Sequence, residues 1–217
     1  MNVHSRKVGA RAKAHKPRRG RPLVDDKRRR ILDAALHVFA AHGYDGTSVP
    51  EVADKAGVGT GTLYHYFEDK EALVNEVYRD AKLRLKAALL DGAPKLDPYR
   101  FDDAERWFGD LWRRLATFAQ AEPEAFRFLE MQDHAPYLDA ESRRVELSVL
   151  LPLYDAGKQL RQHSAGAPVD VLIALLWGAF VGLVKAARLG YLRLDARSLD
   201  QARDACWRMI APIVKKG

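Results

Sequence analysis

The chain has 217 residues, 47% hydrophobic and 30% charged, which is enough for one small and one larger domain and no more. Its single cysteine, Cys206, excludes an internal disulfide and a cysteine-rich metal site and is consistent with a reducing cytosol. The formal net charge of +7 favours a polyanionic partner and is unevenly spread: residues 1–24 hold eight Lys and Arg and no acid, residues 25–90 sum to −1, and residues 91–217 balance.

The basic tail, residues 1–24, has no apolar run and no hydrophobic period, so it is expected to be disordered, and it does not read as a signal peptide. Its segment Pro17-Arg18-Arg19-Gly20-Arg21-Pro22 resembles an AT-hook core, in which an extended Arg-Gly-Arg lies in the minor groove of A·T-rich DNA. Glycine permits close approach, proline keeps the chain extended, and narrow minor grooves attract arginine. Arg18, Arg19 and Arg21 are the candidate contacts; a solvated tail touching only phosphates is the alternative.

Ile31, Ala34, Ala35, Val38, Phe39 and His42 recur at helical spacing and predict an amphipathic helix from about Asp26 to Ala41, stopped at Gly43. Ser48 and Glu51 form a capping-box pattern around Val49, Val52, Ala53 and Ala56, which predicts a second helix over 48–56. Gly57 tolerates the left-handed geometry of a turn, and Val58 is an apolar plug. A third helix resumes near Thr60. It sets Leu63 and Phe67 on one face and Thr60, Thr62, Tyr64, His65 and Tyr66 around the rest. Hydroxyls donate to phosphate oxygens and rings pack on sugars or thymine methyls, so that outer face suits a DNA groove. Taken alone, helix, glycine turn, helix equally fits a surface pair in any helical protein. Leu73, Val77, Ala81 and Leu85 continue the apolar stripe into a fourth helix to about Leu90, where Gly92 and Pro94 stop it.

From Ile31 to Leu73 the chain resembles the TetR family of bacterial repressors, through ILDAALHVFAAHGYDGTSV, EVADKAGV, GTLYHYF and DKEAL. The resemblance implies an all-α protein. Residues 25–87 would hold a three-helix, helix-turn-helix DNA-binding domain (the motif at about 48–67) and the start of a linker helix, and residues 88–217 an effector-binding and dimerisation domain. It further implies that Thr47, Thr62, Tyr64, Tyr66 and Lys70 hold phosphates and that Thr60, Gly61 and His65 lie nearest the base edges. Two positions depart from the family. Gly59 and Thr60 stand where a Ser and a Lys often open the recognition helix, removing a cationic contact, and Pro50 takes an often basic or polar position.

Beyond residue 95 the pattern predicts five helices: Phe101 to Ala121, Pro123 to about His134, 139 to 162 with a kink at Pro152, Val169 to Leu189, and Ser198 to about Val214. The run Val171 to Val184 is uninterrupted apolar sequence, shorter than a membrane span requires, and predicts a buried helix in which Gly178 and Gly182 allow another helix to approach closely. The resemblance implies that the last two helices pair with those of a second subunit. Trp177, Phe180, Leu183, Trp207, Ile210 and Ile213 are then the candidate interface, and the twofold dimer reads a palindrome. It also implies a pocket for a small, largely apolar effector, with Trp107, Phe108, Trp112, Phe126, Met131, His134 and Tyr154 as candidate lining residues; for each of them core packing is the competing role.

Catalysis finds no support. Gly57-Val58-Gly59-Thr60-Gly61 has a superficial likeness to a phosphate loop, but no strand precedes it, Thr62 stands where a third glycine belongs, and Gly-Lys-Ser/Thr is missing. His134 has no neighbouring Cys or His to complete a metal site, and no cofactor is implied. The expectation is a cytoplasmic, homodimeric transcriptional regulator with no membrane partner: a repressor released from a palindromic operator by a small molecule. The alternative is an architectural DNA-binding protein that relies on its basic tail.

Overall fold

A computed structural model of the chain describes residues 24–94, 96, 101–161 and 168–210. The basic tail, with Arg18, Arg19 and Arg21, and Ile213 lie outside the described residues, as does the side chain of Ile210. The described residues form nine helices and no strand.

The first helix, α1 (Val24–His42), begins with cations tied to a helix distant in sequence. Arg28 donates to Glu76 at 2.6 Å and Arg29 to Asp80 at 2.9 Å, which lays α1 along α4 (Lys70–Leu90). Its apolar stripe, including the fully buried Ile31, Ala35 and Phe39, closes over α2 (Val49–Ala56). Ser48 caps α2 by accepting from the Glu51 amide, but Glu51 does not complete the predicted box; its carboxylate lies 3.5 Å from His42 Nε2. At the other end Gly57 takes φ 65° and ψ 41°, and its amide bonds back to the final turn. The short α3 (Thr60–Tyr66) follows.

The α4 helix is common to both halves of the molecule. Asp69 caps it, accepting from Ala72 at 2.7 Å, and it packs on α1, on α5 (Phe101–Ala121), on α6 (Pro123–Glu130) and on α7 (Ala140–Arg161). The predicted end of α6, near His134, is corrected to Glu130. His134 instead folds back and places its Nε2 2.6 Å from the carbonyl of Phe128, one of the acceptors the helix end leaves open. The α7 helix continues through Pro152, which sits on its exposed side.

Two expectations for the last helices are overturned. The apolar α8 (Val169–Arg188) is not buried: over its most apolar window, of mean hydropathy 2.0, only 11% is buried, because the helix packs on α7 and α9 (Ala196–Ile210) along one side only. By length and composition it is also long enough to cross a membrane, since helical flanks extend the apolar run. Phe180 and Trp207, expected at a subunit interface, are buried within this chain. Phe180 meets Trp112 and Phe126 edge-on at 5.2 and 5.8 Å, and Trp207 stacks on Phe108 at 5.6 Å. Three candidate pocket rings, Phe108, Trp112 and Phe126, and two candidate interface rings, Phe180 and Trp207, therefore belong to one cluster in the core.

Candidate nucleic-acid interface

Local sequence accounts for the shape of the outer surface of α2 and α3. Val49, Val52, Ala53 and Ala56 of α2 are buried, so Pro50, Glu51, Asp54 and Lys55 face outward. On α3, Leu63 is fully buried and Phe67 nearly so; the opposite side must then show Gly61, Tyr64 and His65, with Tyr64 50% exposed. Thr60, Thr62 and Tyr66 are half-buried, and the His65 and Tyr66 rings meet edge to face at 5.7 Å. Gly59 stands at the N-cap with no side-chain bond to the first amides of α3, and a Cβ added at Gly61 would meet nothing within 4 Å. The start of α3 is thus bare backbone, with open N–H donors at the positive end of a helix.

The helix pair is braced from behind. Arg30 of α1 donates to the carbonyls of Ala56 at 2.5 Å and Gly57 at 3.2 Å, setting a cation at the C-terminus of α2 where its dipole favours one. No local spacing signals this contact. Thr47, expected to hold a phosphate, does something else: it is only 4% exposed, and its hydroxyl donates to the carbonyl of Gly43 at 2.7 Å, fastening the turn between α1 and α2. Lys70, at the start of α4, rests its ammonium 4.2 Å from the centre of the Tyr44 ring. Tyr44 in turn stacks on Tyr137, 4.4 Å away, in the segment between α6 and α7.

That segment connects the outer surface to the rest of the core. Gln132 donates to the carbonyl of Phe39 at 2.7 Å, and the buried Asn75 of α4 donates to the carbonyl of Tyr137 at 2.8 Å and accepts from the Asp139 amide at 2.9 Å. Both nitrogens of His134 are used: Nε2–H donates to Phe128, and Nδ1 accepts from the Tyr137 hydroxyl, 2.5 Å away. At 6% exposure its pKa is pushed down by burial, so the ring is held neutral and offers no free polar handle to a ligand. Burial likewise pushes the Tyr137 and Tyr78 hydroxyls up. Although burial opposes it, the guanidiniums of Arg79 and Arg28 hold the Glu76 carboxyl below its usual range.

Deeper in the C-terminal part, Lys82 and Glu130 form a buried pair at 3.3 Å, their side chains 9% and 8% exposed, and the other Glu130 oxygen accepts from the Trp177 indole at 2.6 Å. Of the remaining candidate lining residues, Phe108, Trp112 and Phe126 are in the core, and Trp107 and Met131 are half-buried. Tyr154 is also half-buried and lies under the Lys158 ammonium at 4.6 Å. Trp112 also borders a groove of about 560 Å³ between α5 and α9, whose rim carries Arg106, Asp110, Arg113, Asp200 and Arg203. Among the described residues no group of three or more His, Cys, Asp or Glu side chains is placed to hold a metal ion.

Comparison with known proteins gives this geometry a family. Residues 31–77 match the model of bacterial regulatory proteins of the tetR family, and residues 92–212 match that of the tetracyclin repressor-like C-terminal domain. The HTH-type transcriptional repressor KstR2 of Rhodococcus jostii is 43% identical over 64 residues, 27% of this chain and 31% of that one, so the match spans about a third of that relative. The HTH-type transcriptional repressor AcnR of Corynebacterium glutamicum is 28% identical over 166 residues, 76% of this chain and 84% of that protein. A TetR family transcription regulator of Marinobacter aquaeolei superposes with a TM-score of 0.69 at 26% identity, covering 85% of this chain and 95% of the other. With a helix-turn-helix at one end and a matched C-terminal domain over more than half its length, the chain belongs to the TetR family of bacterial regulatory proteins.

Proposed function

We propose that the chain is a DNA-binding transcriptional repressor that acts in the cytoplasm as a homodimer on a palindromic operator. The observation that carries this reading is α3, seven residues long, anchored from beneath by Leu63, with Gly61, Tyr64 and His65 exposed on the far side. A bare helix start brings backbone donors close to a groove wall. In this reading Thr60, Gly61 and His65 lie at base edges, while Thr62, Tyr64, Tyr66 and Lys70 hold phosphates. The relatives named as transcriptional repressors support repression rather than activation.

A small-molecule effector in the C-terminal domain then lowers operator affinity by favouring a dimer whose recognition helices are wrongly spaced, and it does so by no more than its differential affinity for the two states. The segment between α6 and α7 is suited to carry that change, since Gln132 and Tyr137 tie it to Phe39 and Tyr44 beside the helix pair. Selection of DNA from a random pool by the purified protein should return a palindrome; unsymmetrical sequences would contradict dimeric readout. Tyr64→Ala should weaken operator binding about tenfold with the thermal midpoint unchanged. Wild-type affinity in both Tyr64→Ala and Lys70→Ala would remove this face from the interface. Deleting residues 1–22 should flatten the salt dependence of binding, because the whole basic excess lies there.

A further inference from the structure

Lys70 stands where a cation is least expected. It is the first residue of α4, at the helix end whose dipole disfavours positive charge, and among the described residues it makes no ion pair. Carboxylates are near: burial, with Glu71, Asp69 and Asp45 close by, pushes the Tyr44 hydroxyl up. Asp69 accepts from the Ala72 amide instead, and the Lys70 ammonium rests on the Tyr44 ring at 4.2 Å. We propose that Tyr44 is a positioning residue for DNA binding: its ring holds the Lys70 ammonium charged and unpaired for an operator phosphate, and Tyr137 backs that ring from the C-terminal part. This rests on the DNA-binding reading and adds to it a residue that acts on DNA only through Lys70.

The kind of partner matters. A carboxylate would cancel the charge and occupy the donors, whereas the face of an aromatic ring attracts the ammonium and leaves its N–H groups open to phosphate oxygens. A lysine already leaning on a ring also has less rotamer freedom to lose when a phosphate arrives. That advantage requires the ring itself to be held. Tyr44 is half-buried, stacks on Tyr137 at 4.4 Å and lies nearly parallel to the buried Phe39 at 6.4 Å. Tyr137 is buried and fixed through its carbonyl, which accepts from Asn75 at 2.8 Å, its amide, which donates to the His134 carbonyl at 3.2 Å, and its hydroxyl, which donates to His134 Nδ1. Asn75 belongs to α4, the helix that Lys70 opens, so the lysine and the support of its ring share one frame. The Tyr44 hydroxyl makes no hydrogen bond among the described residues, which leaves the holding to the ring.

The test is a double-mutant cycle on the full chain, read by fluorescence anisotropy on a duplex selected from a random pool, over a range of salt concentrations. Lys70→Ala should weaken binding about fivefold and lower the slope of log affinity against log salt by about 0.9, the signature of one lost phosphate contact. Tyr44→Leu should weaken binding about as much in the wild-type background and not at all in the Lys70→Ala background, with helical circular dichroism unchanged. Tyr44→Phe, which keeps the ring, should bind like wild type. Tyr137→Leu, a second route to the same ring, should cost about threefold, and that loss should also vanish without Lys70. A Tyr44→Leu loss that persists in the Lys70→Ala background would make Tyr44 a structural part of its turn and overturn the proposal, as would wild-type affinity in Tyr44→Leu. An unaltered salt slope in Lys70→Ala would take away the phosphate and the proposal with it, leaving the DNA-binding reading to be decided by Tyr64→Ala. A wild-type chain that selects no duplex would overturn the DNA-binding reading itself.

Discussion

The two ends of this molecule treat apolar surface in opposite ways. Around α1, α2 and α3 every core-facing stripe finds a partner, and the outside is left to Tyr64, His65, glycines and charges. Around α7 and α8 large apolar groups remain outside: Leu147, Leu150, Leu151, Val171 and Leu175 are all exposed. Each square ångström of such surface left in water forgoes about 25 cal/mol, and contiguous apolar patches mark interaction sites. The first region is complete in one chain and presents a polar exterior suited to a polyanion. The second leaves large apolar side chains of α7 and α8 in solvent.

The sharpest way to break that comparison is to remove the centre of the complete region. Phe39 is fully buried, near Tyr44 and Phe128, so Phe39→Ala should cost about 3–5 kcal/mol in urea denaturation. A loss below about 1 kcal/mol would mean that the N-terminal core is not the closely packed unit described. A somewhat smaller effect is expected where the C-terminal half holds its own polar core. Glu130→Ala strands the Lys82 ammonium and should cost about 3 kcal/mol, whereas Glu130→Leu combined with Lys82→Met should cost markedly less. If the double variant is the worse of the two, the pair is a net source of stability. The smallest effect concerns the segment joining the two regions. Burial keeps the His134 ring neutral in the folded chain below the ordinary histidine value of 6.5, where the unfolded ring takes up a proton, so stability should fall as pH drops below about 6.5. His134→Gln should remove that slope between pH 6.5 and 5 while lowering the baseline; an unaltered slope would assign it to other groups.

Much of the helix-turn-helix is legible in sequence because its signals are local. Ser48 caps within one turn, Gly57 supplies a left-handed residue, and Leu63 with Phe67 marks the inner face of α3 four residues apart. Helix identity elsewhere was legible for the same reason, and α5 spans its expected range of Phe101 to Ala121. The partners of side chains were not. Thr47 and Tyr66 look alike as polar groups of one motif, yet one is locked under a carbonyl and the other is half-buried at the surface. Phe108, Trp112, Phe180 and Trp207 could be sorted into pocket and interface only by guessing which helices meet; in the fold they touch one another. His134 invites a ligand role until both its nitrogens are seen engaged across the end of α6.

The sequence by itself determined the helical periodicities, the caps, the glycine turn and the placement of all net charge in the first 24 residues, since each depends on residues within a turn or two or on simple summation. Tertiary structure alone decided that Arg30 caps α2 from α1, that Lys82, Glu130 and Trp177 meet, and that α8 keeps one side in solvent. Those outcomes join residues 26 to 48 positions apart, or depend on how many neighbours a helix acquires. An apolar stripe shows that a helix has something to bury; the packing of the whole chain decides whether it is buried within that chain.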